Sequence, residues 1–278
     1  MLESCYRMID MFLPVPWLGY NFMKNAFLAI LLVMPLFGLL GTMVVNNKMA
    51  FFSDSLGHGA FAGIAIGTLV GSANPLIGLV VFSIVFAITI IFIKHKSKAA
   101  TDTIIGVFSS TAIALGIMMM SQGGSFNKYT SYLIGDLLSI RASDLSVLLG
   151  VFIVIVALWY LLFNKLLLIS VNSSLAGSRG ISSLGIEIGF AVALAIIVAV
   201  SIQWVGLLII NSMLVLPAAA ARNIAVNVRQ YHFYSVVIAL FSGLAGLMSS
   251  YYVNTATGAT IVIVAALIFF ITLFKNKC

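Results

Sequence analysis

Charge is scarce in this chain. Only 8% of its 278 residues are Asp, Glu, Lys or Arg, while 62% are hydrophobic. A soluble domain carries about 25% charged residues, so a water-soluble globular fold is excluded. Cysteine is scarcer still: Cys5 and Cys278 stand at opposite ends of the chain. Neither belongs to a C-x-x-C pair, which removes a thiolate metal site and a disulfide framework. No G-x-x-x-x-G-K-[ST] loop occurs, so the chain cannot hydrolyse ATP through a Walker-type loop, and any such energy source must be another polypeptide. H-E-x-x-H is missing too. Phe241–Gly243 lacks the first glycine of the intramembrane protease motif G-x-S-G, and no histidine follows His232 to act as a base for Ser242. The alternating strands of a β-barrel, internal repeats and low-complexity tracts are all absent from the sequence.

What is present is a series of apolar runs of about 20 residues, the mark of a polytopic all-α membrane protein. Nine candidate spans fall at residues 24–45, 50–71, 75–93, 103–120, 145–163, 184–204, 205–221, 234–252 and 256–274. A shorter run, 129–140, is expected to be re-entrant or interfacial, which leaves the count at eight or nine. The whole chain reads as one transmembrane domain. Residues 1–22 lack the basic start and cleavage site of a signal peptide. With Trp17, Tyr20 and Phe22 beside Pro14 and Pro16, they read as an interfacial lead-in. The net charge of +7 does not call for nucleic acid, because the basic residues sit in short loops between spans. Ten of the fourteen fall on one side: Lys48, Lys94, Lys96, Lys98, Lys165, Arg179, Arg222, Arg229, Lys275 and Lys277. That side, and the C-terminus with it, is expected to be cytoplasmic.

The stretch MAFFSDSLGHGAFAGIAIGTLVG, residues 49–71, puts Asp54 and His58 in an apolar span. Residues four apart stack on one helix face, and a stacked carboxylate and imidazole form half of a site for a divalent cation. The other reading is structural: Ser53 or Asp54 caps a helix starting at the membrane edge, and His58 is a hydrogen-bonded interior residue. Gly59, Gly63 and Gly67 recur every fourth position, a small-residue stripe for close helix packing. The remaining histidines are weaker candidates. His95 lies in a basic loop and His232 at the mouth of a span, and Glu187 reads as an interfacial charge. In WVGLLIINSMLVLPAAAAR, residues 204–222, Asn211 and Ser212 interrupt an apolar run, and Pro217 is expected to open an Ala-rich turn ending at Arg222. That turn is either a Pro-broken span or a short helix offered to a partner at the inner face. YLIGDLLSI, residues 132–140, reads unaided as a loop tip with a solvated Asp136.

Three of these stretches, SDSLGHGAFAGIAIG, YLIGDLLSI and VGLLIINSMLVLPAAAAR, resemble in their order the membrane permease subunit of zinc/manganese ABC importers, and most of all its high-affinity zinc uptake permeases. TDTIIGV, residues 101–107, resembles the same family, and the likeness runs from about residue 38 to 274. The resemblance implies a homodimer in a prokaryotic cell membrane, a pair of cytoplasmic ABC ATPases, and an extracytoplasmic metal-binding protein that delivers the ion. It implies that Asp54 and His58 contact the ion in transit, and that Pro217, Ala218, Ala221 and Arg222 meet the ATPase. Three departures stand out: Gly57 where Ser or Ala is common, Ala220 where Thr is usual, and TATGAT at 255–260 without the usual prolines. The expected activity is import of Zn²⁺, with Mn²⁺ next and Fe²⁺ also compatible, by a subunit that holds no permanent cofactor. Its rivals are a stand-alone ion-coupled carrier, which would need more intramembrane carboxylates, and a permease for a larger chelate such as a siderophore, which would need no Asp/His pair.

Overall fold

The computed structural model describes residues 6–7, 9–11, 15–69, 75–122 and 135–275. Among the described residues from Pro16 on, the α-helices are ten: α1 Asn21–Asn46, α2 Ala50–Leu69, α3 Pro75–Lys96, α4 Thr101–Gln122, α5 Ala142–Val171, α6 Ser173–Ser178, α7 Ser183–Val205, α8 Leu207–Ile224, α9 Val228–Val253 and α10 Thr257–Lys275. Two 3₁₀ turns, Pro16–Gly19 and Leu137–Ser139, complete them. All but α6 coincide with the nine expected apolar runs. Among the described residues, seven helices are long and apolar enough to cross a membrane, and Ile209–Ile224 is a shorter apolar helix. The 20 residues of α2 reach about 30 Å, the thickness of a bilayer core.

Several boundaries differ from the expected ones for local reasons. Helix α5 has 30 residues and takes in Lys165, which had been expected in a loop. Helix α9 begins at Val228 because Asn227 caps it: its side chain accepts from the Gln230 N–H at 2.9 Å, while Gln230 Oε1 accepts from the Val226 N–H at 3.2 Å. Arg229 and His232 therefore lie in the first turns of the helix. The expected Ala-rich turn after Pro217 is not a turn. Helix α8 runs through Pro217 to Ile224. The proline removes one backbone donor, but Met213, Leu214, Ala218, Ala220 and Ala221 are fully buried, and their packing holds the helix together. Of the short run 129–140, residues 129–134 lie outside the described residues. The remainder is a capped turn in which Asp136 accepts from the Leu138 N–H.

The chain forms two compact units. The first holds residues 1–42, 134–153 and 204–278. In it α9 lies against α1, with Ser235 Oγ donating to the Gly38 carbonyl at 2.6 Å and the Tyr231 hydroxyl to that of Thr42 at 3.3 Å. The buried Lys24 ammonium is paired with Asp10 at 2.7 Å, the Tyr6 hydroxyl donates to Asn25 Oδ1, and Asn25 Nδ2 donates to the Ile140 carbonyl. These bonds fasten Tyr6, Asp10 and the loop before α5 to the first turn of α1. The one-residue joint between α7 and α8, Gly206 with φ 84°, is tight, and Gly135 lies against it.

The second unit holds residues 43–133 and 154–203. Its centre is the pairing of α2 with α3. A Cβ on Gly63 would lie 2.9 Å from Phe82 Cβ and 3.0 Å from Leu79 Cα, and one on Gly78 would lie 2.7 Å from Gly67 Cα. Gly59 faces the Phe82 and Phe86 rings at 3.3–3.4 Å. The glycine stripe thus lets α3 approach α2 nearly backbone to backbone.

Candidate functional site

Asp54 is the fifth residue of α2, beyond the first four, whose N–H groups lack intrahelical acceptors. It is not the cap of that helix, which starts from Met49, whose carbonyl accepts from the Phe52 N–H. Ser53 does not cap it either: its Oγ donates backward to the Ala50 carbonyl at 3.0 Å. The structural reading of the pair as a cap therefore loses its basis. His58 Nε2 lies 3.6 Å from Asp54 Oδ1, with the two side chains 31% and 40% exposed. At about 100° per residue, the pair faces roughly 160° away from the Gly59–Gly63–Gly67 stripe. Phe51 shares the open side and is 64% exposed, whereas Phe52 and Leu56 are fully buried. Helix α2 therefore presents a polar pair on the side away from α3, where the described residues leave it partly exposed.

The separation of the two donors has chemical content. Tetrahedral Zn²⁺ with bonds of about 2.0–2.2 Å holds neighbouring donors about 3.4 Å apart. An octahedral ion with bonds of about 2.0–2.1 Å holds cis donors about 3 Å apart. At 3.6 Å the two donor atoms are near enough for one ion of either geometry to bridge them. Among the described residues, no group of three His, Cys, Asp or Glu side chains that could hold a metal ion forms around it or elsewhere, so the pair offers two donors.

The other sequence candidates separate. Pro217 is buried, and Ala218 and Ala221 have no exposed surface. Within the expected partner-contact set only Arg222 is exposed, because the others are inner packing residues of α8. His95 and Glu187, which sequence reasoning left as separate surface charges, come together: Glu187 Oε2 lies 2.8 Å from Lys94 Nζ and 3.4 Å from His95 Nε2. No spacing rule in the sequence pointed to that cluster.

Residues 19–276 match the model of the ABC 3 transport family. The chain belongs to that family. It is 33% identical over 240 residues to the high-affinity zinc uptake system membrane protein ZnuB of Haemophilus influenzae, covering 86% of this chain and 91% of the relative. It is 29% identical over 259 residues to the manganese transport system membrane protein MntC of Listeria monocytogenes, covering 93% and 92%. Among solved structures it resembles PsaBC from Streptococcus pneumoniae, determined in complex with a Fab, with TM-score 0.80 and 28% identity over 98% of this chain and 95% of that one. This ABC 3 family member is thus an ABC permease and a multi-pass membrane protein, built as an all-α bundle. Its relatives are permease subunits, in keeping with a chain that carries no Walker-type loop.

Proposed function

We propose that this permease imports a divalent transition metal into the cytoplasm of a prokaryote, with Zn²⁺ favoured over Mn²⁺, and that Asp54 and His58 are ligands for the ion in transit. The observation that carries this reading is the placement of the pair: an imidazole and a carboxylate 3.6 Å apart, both partly exposed, on the side of an apolar helix away from its glycine seam. A second copy of the chain offering the same pair would complete a four-donor N₂O₂ shell, which suits Zn²⁺. Manganese is held more weakly by the same donors, and relatives named for zinc and for manganese are both present. Such a site must bind loosely enough to release its ion.

Energy comes, in this reading, from a pair of cytoplasmic ATPases, and an extracytoplasmic metal-binding protein delivers the ion. Burial of Pro217, Ala218 and Ala221 moves the ATPase contact to the exposed inner loops. One is residues 222–229, where Arg222 and Arg229 flank Val226, 90% exposed and held by the Asn227–Gln230 cap. The other is α6, capped by Asn172 accepting from the Leu175 N–H, with Leu175 44% exposed. Closure of the ATPases on ATP would then rock the permease between outward and inward openings.

The test is ion uptake into proteoliposomes holding the permease, its ATPase and the delivery protein. Asp54→Asn keeps the shape and removes the charge, and His58→Gln keeps polarity without a ring nitrogen. Both are expected to lower zinc uptake by at least about 10–100-fold, the usual cost of losing even an outer-shell partner of a metal ligand, with assembly intact. Near wild-type uptake by both variants would overturn the ligand assignment.

A further inference from the structure

We infer that Glu187, held between Lys94 and His95, is a positioning group that transmits movement of the inner loops to the helix carrying the cation pair. This rests on the reading of the chain as an ATP-driven metal permease, and goes beyond it by naming a transmission element inside one subunit. Lys94 and His95 stand on the last turn of α3 and Glu187 is the fifth residue of α7. Lys94 there also favours the negative C-terminal pole of α3. Lys94 Nζ donates to Glu187 Oε2 at 2.8 Å and His95 Nε2 lies 3.4 Å from the same oxygen, with the Glu187 side chain only 16% exposed. The neighbouring cation Lys96 is engaged elsewhere, 4.4 Å from the centroid of the Phe92 ring. A carboxylate this sheltered is costly to leave unpaired, so the inner ends of α3 and α7 are tied in whichever state keeps the cluster intact.

The path on either side of the tie is continuous and lies within the second compact unit. Helix α6 leads through residues 179–182 into α7, and Ser182 Oγ accepts from the Gly185 N–H at 3.3 Å across that entry. Glu187 lies one turn further on. From Lys94, α3 leads back to Phe86 and Phe82, stacked with centroids 5.6 Å apart, and these rings cover Gly59. Below them Gly63 admits no Cβ without displacing α3 backbone. Helix α2 is thus locked to α3, and α2 carries Asp54 and His58. A push on the start of α7 reaches the pair through one charged link and one tightly interdigitated helix contact. Coupling of this kind is carried by contiguous packed and ion-paired groups.

A charge exchange tests it. Lys94→Glu, Glu187→Lys, their double variant and Glu187→Gln are each assembled with the ATPase and delivery protein in proteoliposomes. Zinc transported and ATP hydrolysed are then measured together. Each single reversal is expected to lower zinc moved per ATP by about tenfold, within the usual range of coupling effects, while hydrolysis continues. The double exchange is expected to recover most of the ratio, and Glu187→Gln to fall between. The inference is overturned if Glu187→Gln and both reversals keep the wild-type ratio, or if the exchanged pair assembles without recovering it. Failure of the wild-type complex to move zinc or manganese would instead overturn the functional reading beneath it.

Discussion

Gly135 and Gly206 meet backbone to backbone: a Cβ on Gly135 would lie 2.3 Å from the Gly206 nitrogen and 2.5 Å from the Val205 carbonyl carbon. Both glycines have positive φ, 68° and 84°. The contact joins two stretches that are far apart in sequence. One ends the YLIGD run, and the other is the single residue between α7 and α8. Gly135 requires glycine twice over, for its left-handed backbone and for the closeness of Gly206, and Gly206 requires it for its own positive φ.

The expected outcome of Gly135→Ala follows. A left-handed backbone costs an L-residue about 1–2 kcal/mol, and overpacking against backbone that cannot swing aside adds about 1–3 kcal/mol. Gly180→Ala is the control: Gly180 also has positive φ, 72°, but nothing lies within 4 Å of its Cβ position, so only the first cost applies. Thermal unfolding of the purified permease in detergent should therefore rank wild type above Gly180→Ala, and Gly180→Ala above Gly135→Ala. Equal melting of the two variants would show that the Gly135–Gly206 contact yields at no cost.

A second ranking concerns the α2–α3 seam. At Gly59 an added methyl would meet ring atoms of Phe82 and Phe86 at 3.3–3.4 Å, which can shift by a few tenths of an ångström. At Gly63 it would meet Phe82 Cβ at 2.9 Å and Leu79 Cα at 3.0 Å, and the helices themselves would have to separate. Gly63→Ala should thus lower stability by about 1–3 kcal/mol and reduce metal uptake, while Gly59→Ala is milder on both counts. Melting curves and uptake assays on the two variants check the order.

Much of this architecture was legible in the sequence because a bilayer leaves few choices: an apolar run of about 20 residues must be a helix. The i,i+4 spacing likewise sufficed to bring Asp54 and His58 to one face. What it could not show was which face stayed open, since that depends on where the Gly59–Gly63–Gly67 stripe finds its partner helix. Pro217 misled for the opposite reason. The breaker rule is local, and in α8 it was outweighed by tertiary burial of Ala218, Ala220 and Ala221. The Lys94–Glu187 pair spans 93 residues of sequence, so no periodicity could have revealed it.

The inner loops give a prediction about the partner ATPase. Val226→Asp and Leu175→Asp each place a charge on an exposed apolar residue, and should weaken ATPase binding while the permease still inserts. Such residues carry a contact when they fill a pocket on the partner, and their loss typically costs about 2 kcal/mol or more, or about thirtyfold in affinity. Ala218→Ser, at a fully buried position, should leave the affinity unchanged. Co-purification of the ATPase with each variant checks this. Unaltered binding by both aspartate variants would move the contact to another surface.

The two cysteines provide a test of orientation without added probes. If all nine apolar runs cross, the number is odd, and Cys5 and Cys278 should lie on opposite sides of the membrane. The positive-inside count puts the loop carrying Lys94, Lys96 and Lys98 and the tail carrying Lys275 and Lys277 on the cytoplasmic side, and Cys278 with them. A membrane-impermeant maleimide applied to intact cells, or to spheroplasts where an outer membrane intervenes, should label the Cys278→Ser variant through Cys5. It should leave the Cys5→Ser variant unlabelled until the membrane is permeabilised. Labelling of both before permeabilisation, or of neither, would place the termini on one side and require an even number of crossings. The first helix to re-examine would then be α8, whose 18 residues make it the shortest of the nine and whose apolar portion, Ile209–Ile224, falls short of the other spans. Labelling of Cys278 alone would keep the odd count and invert the whole bundle, placing ten of the fourteen basic residues outside against the charge rule.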